Sequence, residues 1–163
     1  MCDVQKAAYS KAYTRRRSLA LLASVLAADF ETAVMLTFRC SRAIMPAAAV
    51  SQIRSLRVRA RQITGGPVRY VQTATYEPPE GGPVYRLIVQ LPADVCEKLR
   101  ASWFMGPTEM EPMTAAKLAE FAAGLMTQPP DTWPEHCATW TCSKDLRRPR
   151  LYSGACPMGL PPC

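Results

Sequence analysis

The side chains that can do chemistry in this 163-residue chain are unevenly supplied. It has a single histidine, seven cysteines and twenty Lys/Arg against thirteen Asp/Glu. His136 lies in a proline-rich stretch with no Ser or Cys partner at a telling spacing, so a Ser-His or Cys-His nucleophile pair has no support. His136, Cys137, Cys142 and Cys156 are the candidate zinc ligands. A C-x4-C spacing without a C-x2-C knuckle matches structural zinc poorly, and the expectation is no metal and no cofactor. Arginine is the residue type that clusters. Arg54, Arg57, Arg59 and Arg61 recur along one segment, Lys144 precedes Arg147, Arg148 and Arg150, and Arg86 stands alone inside an apolar run. Guanidinium groups bind phosphate and carboxylate in a planar, two-pronged geometry, so anion recognition is the chemistry these residues suit.

The net charge is +7. Residues 1 to 70 hold twelve Lys/Arg and three Asp/Glu, residues 71 to 135 four and nine, and residues 136 to 163 four and one. Basic ends of this kind draw polyanions by releasing condensed counterions, which makes nucleic acid the natural partner; a solvated, solubilising face is the plainer alternative. An odd cysteine count without repeated spacing argues against a disulfide framework and for a reducing, cytoplasmic setting. The longest apolar stretch, Leu19 to Ala28, is shorter than a membrane span needs. Arg15-Arg16-Arg17 ahead of it imitates a secretion signal, but Asp29-Phe30-Glu31 follows and strand-like residues come next, so neither secretion nor membrane insertion is expected.

The elements that must position these residues are legible in outline. Residues 4 to 28 lack Gly and Pro and read as helix, with a candidate break near Tyr13. Residues 33 to 38 read as a buried strand. Pro46 opens a helix to about Ile63, in which Val50, Ile53, Leu56, Ala60 and Ile63 form the apolar stripe and Arg54, Arg57 and Arg61 a basic one. Strands at 68 to 75 and 84 to 90, joined by a Pro/Gly-rich turn, predict an antiparallel pair. A helix follows from Pro92 to Ser102, then a loop from Met105 to Met113, a helix capped by Thr114 and running to about Met126, and a short strand from Ala138 to Cys142. The sum is one α+β domain over 1 to 163, with a central antiparallel sheet and flanking helices: a helical region at 1 to 30, a core at 31 to 149 and an irregular tail at 150 to 163.

Val34-Met35-Leu36-Thr37-Phe38 is followed in order by the Arg-rich helix, the Gly-Gly-Pro turn, Leu87-Ile88-Val89 and Thr141-Cys142-Ser143-Lys144-Asp145-Leu146-Arg147-Arg148-Pro149. The first resembles the strand that opens the catalytic domain of rolling-circle replication initiators of phages and plasmids, in the HUH endonuclease class, and the last resembles the Ser-Arg-Asn-Leu-Lys-Lys-Pro signature of the same family. The resemblance implies an HUH-like fold over roughly residues 15 to 153. It also implies two histidines and a carboxylate holding a divalent metal that polarises a DNA phosphate, and a tyrosine that attacks it. Here Val84 and Arg86 stand at the histidine positions, Thr75 at the carboxylate position and Gly124 at the tyrosine position. Valine offers no ligand atom and arginine repels a cation.

The resemblance therefore implies a pseudoenzyme from a phage or other mobile element, without nuclease activity. Its expected role is binding single-stranded or hairpin DNA through Arg54, Arg57, Arg61, Arg86, Lys144, Arg147 and Arg148, with Tyr70, Tyr85 or Trp103 as stacking platforms. For Arg86 the alternative is a strand edge that merely exposes it. A second functional reading is an interaction protein that inhibits a host or CRISPR-associated nucleic-acid enzyme, an anti-CRISPR type of role. A third, with Tyr76 or Tyr85 as a relocated nucleophile and Glu77 and Glu80 as ligands, lacks paired-carboxylate geometry.

Overall fold

The computed structural model describes residues 3 to 41, 46 to 76, 82 to 128 and 140 to 146. In chain order its elements are α1 (Asp3–Asp29), β1 (Thr32–Arg39), α2 (Pro46–Thr64), β2 (Tyr70–Tyr76), β3 (Pro83–Val89), α3 (Ala93–Ala101), β4 (Thr108–Thr114), α4 (Ala115–Met126) and β5 (Trp140–Cys142). The strands form one sheet in the order β4-β1-β3-β2-β5, with every neighbouring pair antiparallel. Helices cover both faces, so β3 in the middle is apolar on both sides and shows no alternation except at Arg86.

Because successive strand residues point to opposite faces, the core divides in two. Leu36, Phe38, Tyr70, Ala74, Tyr85, Leu87 and Val89 pack against Ile53, Leu56 and Ala60 of α2 and Cys96 and Leu99 of α3. On the other face Ala33, Val71, Ile88 and Cys142 pack against Leu19, Leu22, Val25 and Leu26 of α1 and Leu118, Ala122 and Leu125 of α4. Each buried Leu, Ile or Phe contributes about 1.5–3 kcal/mol relative to exposure, so both helical layers are held chiefly by these stripes. Thr114 caps α4 by accepting from the Lys117 N–H at 3.3 Å, and Pro92 precedes α3, whose first turn carries Asp94 and whose last carries Lys98 and Arg100.

Two expectations are corrected. Residues 4 to 28 contain no break at Tyr13; α1 runs continuously, since nothing in the segment removes a backbone donor. The stretch from Met105 to Met113 is not a loop throughout, because Thr108 onward is β4, paired with β1 from Thr32↔Thr114 to Phe38↔Thr108. Pro112 is tolerated there because β4 is an edge strand, where a missing donor can fall on the unpaired side.

Two glycines permit close backbone approaches beside the end of β1. A Cβ on Gly82 would stand 2.4 Å from the Cys40 carbonyl oxygen, and one on Gly106, at φ +158°, would stand 2.3 Å from the Arg39 oxygen. Among the described residues, no helix is long and apolar enough to cross a membrane.

Candidate functional site

The face of the sheet beneath α1 and α4 changes character along the strands. Its row Met35–Ile88–Val71 is apolar and packs with the helices. The next row outward is Thr37–Arg86–Thr73, and the one beyond it Arg39–Val84–Thr75. Three threonine hydroxyls are thus built into a covered surface, with Thr37, Thr73 and Thr75 at 3%, 1% and 1% exposure. Arg86 lies among them, half-buried, and its Nη1 donates to Thr75 Oγ1 at 2.9 Å. The Thr73 Oγ1 has no hydrogen-bond partner among the described residues, an arrangement that costs about 1–3 kcal/mol when left unsatisfied.

Arg39 adds a second guanidinium to the same face. It sits diagonally from Arg86 across the β1–β3 pair and reaches Glu109 Oε1 on β4 at 3.4 Å. β3 is the middle strand, so the expectation that a strand edge merely exposes Arg86 is wrong: its cation is set over the centre of the sheet. Thr75, Val84 and Arg86 are brought together as register neighbours. Gly124 lies on α4, which covers this same face, but on its exposed side, with no heavy atom within 4 Å of where its Cβ would be.

The arginines of α2 are elsewhere. α2 packs on the opposite face, so the sheet separates Arg54, Arg57 and Arg61 from Arg86. Arg54, Arg59 and Arg61 are exposed, whereas Arg57 has a structural task. Its guanidinium carbon sits 5.0 Å over the Tyr70 ring and its Nη1 donates to the Tyr70 hydroxyl at 2.7 Å, joining a cation–π contact to a hydrogen bond. Lys144 is exposed beyond β5. Its neighbour Asp145 accepts from Arg69 Nε at 2.9 Å, and the Ser143 hydroxyl, ahead of Arg69, holds that carboxyl below its usual range against the opposing effect of burial. Arg147, Arg148 and Arg150, and with them Glu77, Glu80, His136, Cys137 and Cys156, lie outside the described residues.

The expected stacking platforms are corrected as well. Tyr70, Tyr85 and Trp103 are 7%, 1% and 6% exposed and belong to the core, where no base can reach them. Trp103 stacks at 5.1 Å on Phe38 and donates its Nε1 to the Arg39 carbonyl at 3.0 Å. The same burial removes Tyr85 as a relocated nucleophile. The residue missed is Phe104, 75% exposed beside the buried Trp103. Nothing in a Trp-Phe pair says which ring goes inside. Arg39 was missed too, since its place as the last residue of a strand gives no hint of the face it joins.

Cys40, Cys96 and Cys142 are free thiols inside the protein. Among the described residues, no group of three or more His, Cys, Asp or Glu side chains converges as a metal site would require. The arrangement is thus two guanidinium groups, Arg39 and Arg86, beside three buried threonines, with the Glu109 carboxylate of β4 in the Thr37 row and paired with Arg39. No protein-family model matches the chain, and neither the curated proteins nor the solved structures searched contain a match to it.

Proposed function

We propose that this chain is a catalytically inactive, replication-initiator-like protein of the HUH class that binds nucleic acid through its phosphates. The observation that carries the reading is Arg86, set over the middle of the sheet beside Val84 and Thr75. Those are the positions at which the initiators resembled by this sequence hold a divalent metal. A metal there serves a phosphate by supplying positive charge, and a guanidinium supplies positive charge without Lewis acidity. Binding can then persist where cleavage cannot, because no nucleophile or water is activated. Arg39 stands on the same face, paired with Glu109, and the exposed Arg54, Arg59 and Arg61 on α2 add to long-range attraction.

The test is fluorescence anisotropy of labelled single-stranded and hairpin DNA at salt concentrations from about 50 to about 200 mM. Affinity is expected to fall linearly on a log–log plot, and Arg86→Gln to weaken binding of all sequences alike and flatten the salt slope by about one. With Mn²⁺ present, no covalent protein–DNA adduct should form. Absence of binding at low salt, or an Arg86→Gln protein that is folded and binds as the parent does, would overturn the proposal.

A further inference from the structure

α2 buries Ile53, Leu56 and Ala60 against the sheet and turns Arg54, Val58, Arg59, Gln62 and Ile63 away from it. Spaced three and four residues apart, these exposed side chains form a stripe along the helix and line a cleft of about 740 Å³. That is far more room than an ion fills and lies within the range of binding pockets. Its apolar members stand in water, Val58 at 45% exposure and Ile63 at 36%. Both are β-branched, a type that loses side-chain freedom in a helix and recovers the loss through burial.

The charges on this face are uncompensated. Residues 46 to 64 hold four arginines and no Asp or Glu, and Arg54, Arg57 and Arg61 follow one another at spacings where like charges repel. Arg57 is held by Tyr70, whereas Arg54, Arg59 and Arg61 make no ion pair or hydrogen bond among the described residues. Elsewhere Arg39 pairs with Glu109, Arg69 with Asp145, Arg100 with Glu97 and Lys117 with Glu111. A face kept only for solubility needs neither exposed β-branched side chains nor charges of a single sign.

We infer that this face of α2 docks an acidic amphipathic segment of a partner protein, whose apolar residues cover Val58 and Ile63 while its carboxylates pair with Arg54 and Arg59. Guanidinium forks suit carboxylates, and unmatched cations around an aliphatic strip complement a segment that carries both features. A nucleic acid would use the arginines, but α2 has no aromatic ring on which to stack a base, and phosphates leave the two aliphatic side chains uncovered. A second copy of this chain would bring carboxylates already engaged, since Glu97, Glu109, Glu111 and Asp145 each pair within the chain. The surface lies across the sheet from Arg86, so the inference does not depend on the nucleic-acid reading above.

The experiment measures fluorescence anisotropy of labelled peptides of about fifteen residues with the full chain: a helical Leu/Glu peptide with its leucines on one face, and a scrambled peptide of the same composition. The parent is expected to bind the amphipathic peptide about tenfold or more tightly than the scrambled one. Arg54→Gln combined with Arg59→Gln should weaken the amphipathic peptide about tenfold, and Val58→Ser about threefold or more with no change on the scrambled peptide. Arg86→Gln should bind both as the parent does, which separates this surface from the proposed phosphate site. A parent that binds neither peptide or both alike, or a Val58→Ser protein that binds as the parent does, overturns the inference. So does a duplex DNA oligomer that loses more affinity than the peptide in the double arginine variant, which would assign the face to nucleic acid, or a parent dimer that the same variant dissolves, which would assign it to a second copy. All substituted side chains are exposed, so each variant should melt within a degree or two of the parent, which checks that any loss is local.

Discussion

In the reading proposed above Gly124 stands at the position of the initiators' nucleophilic tyrosine, and its replacement by alanine tests whether the fold demands a glycine there. It lies in α4, two residues before the last, with a backbone outside the positive-φ region that Gly65 and Gly106 enter. No heavy atom stands within 4 Å of its would-be Cβ, so an added methyl meets open space. Glycine in a helix interior costs about 0.8–1 kcal/mol relative to alanine, because it loses more backbone freedom on folding. The C-terminal turn lessens this somewhat, although the Gly124 carbonyl still accepts from the Thr127 N–H at 3.3 Å and hydroxyl at 3.0 Å. Gly124→Ala should therefore stabilise the protein by about 0.5–1 kcal/mol, raising Tm by roughly 1–4 °C for a chain of this size. Circular-dichroism melting and urea titration, with an unchanged m-value, measure it. A fall in Tm of more than a degree would show that this helix face is in contact with something, and the reasoning would fail. Gly124→Tyr should also fold, and should still give no covalent adduct with DNA, since a nucleophile without a metal has nothing to polarise its target.

Gly106→Ala is the opposite case: a methyl 2.3 Å from the Arg39 oxygen, on a backbone at φ +158°, should destabilise by roughly 2 kcal/mol or more, and a melt equal to the parent's would count against the described turn. Burial pushes the Cys40 thiol up to about 11, and burial, then Asp94 and Glu97, do the same to Cys96, so native protein at pH 8 should leave both unalkylated by iodoacetamide, as read by peptide mass spectrometry. Because these folded-state values lie above the ordinary 9.0, the thiols' contribution is complete below pH 9 and is lost as pH rises from there toward 11, where the unfolded chain ionises first; a urea midpoint that did not fall across that window would contradict it. Tyr70→Phe removes the acceptor of the 2.7 Å bond from Arg57 but keeps the ring beneath it, so a loss of about 1 kcal/mol in urea unfolding is expected, against nearly none if Arg57 were simply a solvated charge.

Local chemistry was enough to place most elements. Pro46 at the start of α2, the apolar stripe through Ile53, Leu56 and Ala60, and the Thr114 cap on α4 are each written in a few neighbouring residues and need no tertiary contact to act. The pairing of β2 with β3 followed from the turn residues between them. Pairing of distant segments did not follow, and β4 was hidden because its two glutamates and Pro112 carry little strand propensity; its hydrogen bonds to β1 make it a strand.

The site depended most on what the chain alone withholds. With helices on both faces, both sides of β3 are apolar, so no alternation tells which layer Arg86 joins or that α2's arginines belong to the other. Charge and motif order supplied the residue types and the expectation of anion binding. Packing decided that Arg57 holds Tyr70, that Trp103 lies inside and Phe104 outside, and that Arg39 shares a face with Arg86. The physical reason is that burial is assigned by strand register and helix docking, which join residues far apart in sequence, while composition records only which side chains are available to be buried.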